Sequence, residues 1–217
     1  MTHLSIYFVQ WLTLIALFSI AVMSPGPDFV VVVRNSVAHS RRAGVFTALG
    51  LGLSILVHVT YTVAGIATLI AQSIMLFNVI KYAGAAYLIY LGIQALRSHG
   101  MGRATVDRAL KAEKKIKPVS DAAAFGSGFL TNLLNPKATL FFLAIFSQII
   151  KGDTPIVWMA VYGITCSVII TAWFSLVAFV LTQAKVRNAF LKATKWIDRG
   201  CGLVLMGLGI KVALSSR

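Results

Sequence analysis

Two short stretches of this 217-residue chain gather the residue types that could do chemistry. The first is Ser24-Pro25-Gly26-Pro27-Asp28, and the second runs Asn132-Leu133-Leu134-Asn135-Pro136-Lys137. Pro25 and Pro27 lack the N–H groups that would bond the carbonyls of Ala21 and Met23 in a continuous helix. Each also turns the residue before it, Ser24 and Gly26, away from α geometry. Pro136 frees the carbonyl of Asn132 in the same way. Asp28 is the only acidic residue among the first 106, and Lys137 the only basic residue between Lys117 and Lys151. Both follow a proline directly, where the start of a second half-helix favours an anion and disfavours a cation. A mutual ion pair between Asp28 and Lys137 would relieve both charges. The bland alternatives are a simple proline kink, an Asp28 that only caps its half-helix, and a snorkelling lysine. Asn132 and Asn135 bring amide donors and acceptors that could satisfy the freed backbone, face a ligand, or do both.

Other candidates are secondary. His58 and Tyr61 stand one turn apart, as either a hydrogen-bonded packing pair or a proton relay. Gly44, Ala48 and Gly52 form a small-residue stripe that lets helices approach closely, and Tyr87 and Trp173 read as packing residues. Cys166 and Cys201 lack C-x-x-C spacing, so no metal site or disulfide framework is expected. No H-E-x-x-H, G-x-S-x-G or P-loop is present, so neither an enzyme nor a cofactor is expected.

The elements that must position these residues are apolar. Hydrophobic residues make up 58 % of the chain and charged residues 12 %, with a mean hydropathy of +0.84. Runs free of Asp, Glu, Lys and Arg cover 1–27, 43–80, 82–96, 122–136, 138–150, 154–184 and 200–210. Several approach the roughly 20 residues needed to cross hydrocarbon as a helix. A soluble enzyme and a nucleic-acid binder are thereby excluded, and the net charge of +14 is better read as cationic loops facing anionic lipid. Six spans are expected, near Leu4–Val33, Ala43–Ile70, Phe77–Leu96, Ala122–Ile150, Thr154–Leu181 and Ile197–Leu214. The last is the least apolar, which leaves a five-span variant open. The first stretch lacks a basic n-region and a small-residue cleavage site, and is expected to be retained.

Charge orients the spans. The loops after spans one, three and five hold fifteen basic residues, from Arg34, Arg41 and Arg42 through the Arg97–Lys117 cluster to Lys185–Arg199. The opposite side holds four, Lys81, Lys151, Lys211 and Arg217. Such a bias puts the odd loops in the cytoplasm and both termini outside. The polar segment 98–121 divides the chain into halves, 1–97 and 122–217. Pro27 corresponds to Pro136 at an offset of 109, and Leu91-Gly92-Ile93 to Leu208-Gly209-Ile210 at an offset of 117. Three spans per half would insert the halves in opposite orientations, as inverted-repeat transporters do. The expected fold is thus an all-α polytopic membrane protein of six transmembrane helices. It consists of two inverted three-helix repeats with helices 1 and 4 broken.

The motifs Met23-Ser24-Pro25-Gly26-Pro27-Asp28-Phe29, Gly128-Phe129-Leu130-Thr131-Asn132-Leu133-Leu134-Asn135-Pro136-Lys137-Ala138 and Lys195-Trp196-Ile197-Asp198 resemble those of the LysE/RhtB family of amino-acid exporters. Within that family they are most similar to its threonine and homoserine efflux branch. The resemblance implies a carrier in the bacterial inner membrane that moves small amino acids or their derivatives outward, driven by protons. It places the transport site at Ser24–Asp28 and Asn132–Lys137. A substrate zwitterion would set its ammonium group at Asp28 and freed carbonyls and its carboxylate at Lys137 and amide donors. Protonation of Asp28 from outside could then exchange against substrate binding from inside. A small channel or passive pore using the same breaks is the alternative, and a scaffold subunit a third reading. The expected partners are the amino acid, protons and anionic lipids. A homo-oligomer is left open, as are the exact substrate and the coupling ratio.

Overall fold

A computed structural model describes residues 3–24, 26–97, 118–150, 154–181 and 184–215, and every regular element among them is helical. In chain order these are α1 (His3–Met23), α2 (Pro27–Ala38), α3 (Arg41–Gln72), α4 (Ile74–Leu96), α5 (Asp121–Leu133), α6 (Pro136–Ile149), α7 (Ile156–Leu181) and α8 (Ala184–Leu214). Among the described residues, four stretches are long and apolar enough to cross a bilayer: Ser5–Met23, Arg41–Gly65, Asn78–Leu96 and Ile156–Val180. The pair α5 and α6, bent by 54° at its break, is either a fifth, broken span or a re-entrant loop. Large apolar side chains point outward along these helices, with Ile156 80 % and Val168 60 % exposed. Such a surface would associate or precipitate in water and suits hydrocarbon.

Helix ends fall where residue chemistry sets them. Pro27 and Pro136 each take the first position of a helix, where a missing N–H costs nothing. Ser73 and Ser120 cap α4 and α5 by accepting from the backbone N–H groups of Leu76 and Ala123. The first expected span is two helices, and the second of them runs on to Ala38. The last helix starts at Ala184 rather than near Ile197. Residues 184–199 contain no Gly or Pro and are rich in Ala, Lys and Arg, so good helix formers carry α8 through the basic segment. Pro25 and residues 98–117 of the expected linker lie outside the described residues.

Helices approach one another through small residues. A Cβ built on Gly50 of α3 would stand 2.1 Å from the Phe125 carbonyl oxygen, and one on Gly128 of α5 would stand 2.1 Å from that of Thr47. No side chain fits either seam. The Gly44–Ala48–Gly52 stripe does what its spacing suggests, setting α3 against Ala178, Thr171 and Ser167 of α7.

The α4–α8 seam is internally symmetric. A Cβ on Gly92 would meet Met206 Cγ at 2.5 Å and the Gly202 carbonyl oxygen at 2.7 Å. One on Gly209 would meet Ile89 Cγ1 at 2.7 Å and the Ala85 carbonyl oxygen at 2.8 Å. Adding 117 to Gly92, Ala85 and Ile89 gives Gly209, Gly202 and Met206, so each contact maps onto the other when the helices are exchanged. Low numbers on α4 meet high numbers on α8, so the pair is antiparallel. At one end of the seam Lys81 Nζ donates to the carbonyl of Ser215. On the other helices, Arg42 at the start of α3 pairs with Asp121 at the start of α5, 2.7 Å apart.

Candidate functional site

The two breaks face each other across the bundle. Asp28 sits in the first turn of α2. Its Oδ2 accepts from Asn132 Nδ2 at 2.7 Å and its Oδ1 from Asn135 Nδ2 at 3.2 Å. Both asparagines also serve their own backbone. Asn135 caps α6, its Oδ1 accepting from the Lys137 N–H at 3.0 Å. The Asn132 carbonyl, freed by Pro136, accepts from His58 Nε2 at 2.9 Å and from the Asn135 N–H at 2.9 Å. Of the roles left open for these residues, the backbone one is seen here, and their amide N–H groups bond Asp28.

A second ring of side chains on α3 holds this arrangement. Ser54 donates to Asn132 Oδ1 at 2.6 Å and fixes which way that amide points. His58 is fully buried and stacks on Phe142. A carbonyl can only accept, so His58 Nε2 carries a hydrogen. Its Nδ1 pairs with the Tyr61 hydroxyl, which lies 3.1 Å from Thr139 Oγ1. The Thr139 hydroxyl in turn reaches the Asn135 carbonyl at 3.4 Å.

Lys137 departs from the expected ion pair. Its Nζ donates to the carbonyls of Ala21 and Ser24, at 3.2 and 3.1 Å, and makes no contact with Asp28 within 4 Å. The reason is electrostatic. The N-terminus of its own half-helix repels the ammonium, whereas the C-terminus of α1 offers unsatisfied carbonyls and the negative end of a dipole. Ala21 is one of the two residues whose carbonyl a proline was expected to free. A Cβ built on Gly26 would lie 3.9 Å from Lys137 Cδ and Nζ, an ordinary van der Waals distance. Two of the three ammonium donors are used in these bonds.

Two cavities meet at this lysine. An inner pocket of about 40 Å³ is lined by Ser24, Gly26, Asp28, Asn132, Asn135 and Lys137 and by the rings of Phe18, Phe141, Phe142 and Phe174. It has room for a few waters at most. A larger cavity of about 590 Å³ takes in Ser24, Gly26, Pro27, Asn135, Pro136 and Lys137 and reaches Arg34 and Gln94, both exposed, where α2 and α4 finish. That volume lies in the range of small-molecule sites.

The structure therefore brings together Ser24, Gly26, Pro27, Asp28, Asn132, Asn135, Pro136 and Lys137, with His58 and Tyr61 behind them. Sequence reasoning missed Ser54, Thr139 and Asp198. Ser54 stands one turn before His58, a spacing that could have flagged it. Asp198 is 2 % exposed and lines the larger cavity. The sequence signals for it are its place in the Lys195-Trp196-Ile197-Asp198 motif and its being the only acidic residue after Asp153.

Comparison with known proteins gives a consistent set of relatives. The profile of the LysE type translocator family matches residues 19–216. The threonine efflux protein of Escherichia coli (strain K12) is 30 % identical over 207 residues, covering 94 % of this chain and 98 % of that protein. The leucine efflux protein of Salmonella choleraesuis (strain SC-B67) is 31 % identical over 199 residues, 88 % of this chain and 89 % of its own. The homoserine/homoserine lactone efflux protein of Salmonella typhimurium is 29 % identical over 163 residues, 75 % of each. No solved structure matches.

Proposed function

The chain belongs to the LysE type translocator family, and we propose that it exports small amino acids or their derivatives across the bacterial inner membrane in exchange for protons. The observation that carries this reading is the meeting of two broken helices at Asp28 and Lys137, beside a cavity of about 590 Å³. Intramembrane charges at paired helix breaks are what secondary transporters use to bind polar cargo. The efflux of threonine, leucine and homoserine by its relatives agrees with that class of cargo.

The substrate enters past Arg34 and Gln94 and sets its carboxylate at Lys137. Asp28 is the fixed anion that holds the two asparagine amides, and through Asn135 the start of α6, in place. Ser24, Gly26, Pro27 and Pro136 shape the wall, and His58 and Tyr61 buttress it from α3. Exit to the other side needs the Phe18–Phe141–Phe142–Phe174 cluster to part. Because the inner pocket is too small for an amino acid, an alternating-access carrier is favoured over an open pore.

Six crossings, with α8 as the sixth, complete this reading. Residues 1–97 and 122–217 form the two inverted halves, 98–121 the basic cytoplasmic linker, and both termini lie outside. The symmetric antiparallel α4–α8 seam supports such halves, as does a break in each. The test is efflux of a panel of preloaded amino acids from cells, with and without an uncoupler. Uphill export that stops on uncoupling is the expected result. Export of the same amino acids that ignores the uncoupler would favour a passive pore.

A further inference from the structure

We propose that the outward face of α8 binds an anionic phospholipid, with the phosphate among Lys192, Lys195 and Arg199 and an acyl chain along Leu203, Ile210 and Leu214. The proposal goes beyond the exporter reading and takes up a motif that reading leaves unused, Lys195-Trp196-Ile197-Asp198. Burial divides α8 into two stripes. Thr194, Asp198, Cys201, Leu205, Leu208 and Val212 are buried and recur every three or four residues, so they form the face turned to the bundle. Lys192, Trp196, Arg199, Leu203, Ile210 and Leu214 recur at the same spacing on the opposite face and are all exposed, with Lys195 beside them.

The exposed stripe changes character along its length. From Lys192 to Arg199 it is cationic and aromatic, and from Leu203 to Leu214 it is apolar. The Arg199 guanidinium stands 5.4 Å from the centre of the Trp196 ring, within cation–π reach. An amphipathic indole sits at the level of lipid headgroups. The change between Arg199 and Leu203 therefore marks where headgroups give way to hydrocarbon. Leu203 to Leu214 rises roughly 16 Å at the helical pitch, about half of the hydrocarbon thickness. That is the depth of one leaflet, so the stripe matches a single lipid from head to tail. Lys211 is also exposed but lies about 18 Å beyond Arg199, too far to join the cluster.

Charge selects the headgroup. The outward stripe has no acid of its own, because Asp198, the only acidic residue of α8, belongs to the inward one. Arg97 brings a fourth exposed cation to this end of the α4–α8 seam, since a Cβ built on Gly202 would lie 3.0 Å from the N of its neighbour Leu96. A zwitterionic headgroup would add a further cation here, whereas an anionic one adds only the phosphate. The same turn of α8 that presents Trp196 and Arg199 to lipid presents Asp198 to the larger cavity. The lipid thus holds one wall of that cavity from behind.

The experiment titrates the full-length protein in detergent with phosphatidylglycerol or phosphatidylcholine carrying a nitroxide near the head of one acyl chain. Quenching of Trp196 is read as the difference between wild type and W196F. Each cation near an anionic surface is worth about fivefold in binding, so three set a ceiling of roughly a hundredfold. The wild type should prefer phosphatidylglycerol by about tenfold or more, and added salt should erase the preference. K192Q/K195Q/R199Q should bind both lipids alike. Equal quenching of the wild type by both lipids overturns the proposal, as does a preference that salt and the triple variant leave unchanged. Should the triple variant not accumulate, R199Q decides: a loss of about fivefold is expected, and no loss refutes the site. Displacement of the lipid by inorganic phosphate at equal concentration would make this an anion site without chains. A dimer that buries Trp196 would give the face to a second copy. Either result overturns the proposal, and none of these readouts depends on transport.

Discussion

Replacing His58 separates a positioning role from a proton relay. In H58F the ring keeps its stack on Phe142, now 6.0 Å between centroids, but both ring nitrogens are lost. The Asn132 carbonyl still accepts from the Asn135 N–H, and the Tyr61 hydroxyl still has Thr139, so neither partner is orphaned. The loss is therefore two ordinary hydrogen bonds without the full penalty of a buried unsatisfied group. That amounts to about 1–3 kcal/mol against the arrangement that aims Asn132 at Asp28. At about 1.4 kcal/mol per tenfold, the ceiling on lost efflux is roughly 5- to 140-fold. H58Q presents an amide N–H to the same carbonyl and should recover most of that loss, within about threefold of wild type. The assay is uptake into inverted membrane vesicles energised by a pH gradient, normalised to protein in the membrane. Wild-type rates in H58F would refute the positioning role. A glutamine variant that accumulates normally but loses all response to the pH gradient would make His58 a proton relay instead.

Three further outcomes are expected. A topology reporter fused within Lys111–Lys117 should read cytoplasmic and one after Arg217 periplasmic, and a cytoplasmic C-terminus would remove the sixth crossing. Replacing Pro25 and Pro27 together by alanine should leave membrane abundance intact, since alanine is an excellent helix former, while efflux falls at least tenfold. Full export would reduce the motif to a kink. Lys137→Met and Asp28→Asn should each abolish uphill export, and their effects on abundance should couple by about 0.5–1 kcal/mol, the low end for neighbouring charges, because the two groups bond separate partners. A coupling of several kcal/mol, measured as a double-mutant cycle, would mean that they pair directly.

The local half of this site is legible from sequence and the distant half is not. Pro27 and Pro136 set helix starts because proline lacks an N–H, a property that needs no tertiary information. The Gly44–Ala48–Gly52 stripe is readable from spacing for the same reason. By contrast, Asn132 and Asn135 meet Asp28 across 104 and 107 residues, and Ser54 meets Asn132 across 78. No pattern within one helix encodes such partners. The ion pair expected between Asp28 and Lys137 came from comparing two breaks as equals. The geometry breaks that equality, because the lysine finds carbonyls at the end of α1 that were counted only as freed backbone. Asp198 is harder to read for a different reason. It stands at the edge of the expected Ile197–Leu214 span, and only the extension of α8 back to Ala184 puts it in the helix interior.

The glycine joint between α4 and α8 looks the same from either end. If the two halves trade conformations, the Gly92–Gly202 contact becomes the Gly209–Ala85 contact and costs the same. At this joint, exchanging the two halves would then favour neither form over the other. A substitution at Gly92 alone, too bulky for the carbonyl it faces, would break that degeneracy and bias the molecule toward one face. The same substitution at Gly209 would bias it toward the other, and both together would restore the balance while loosening the joint.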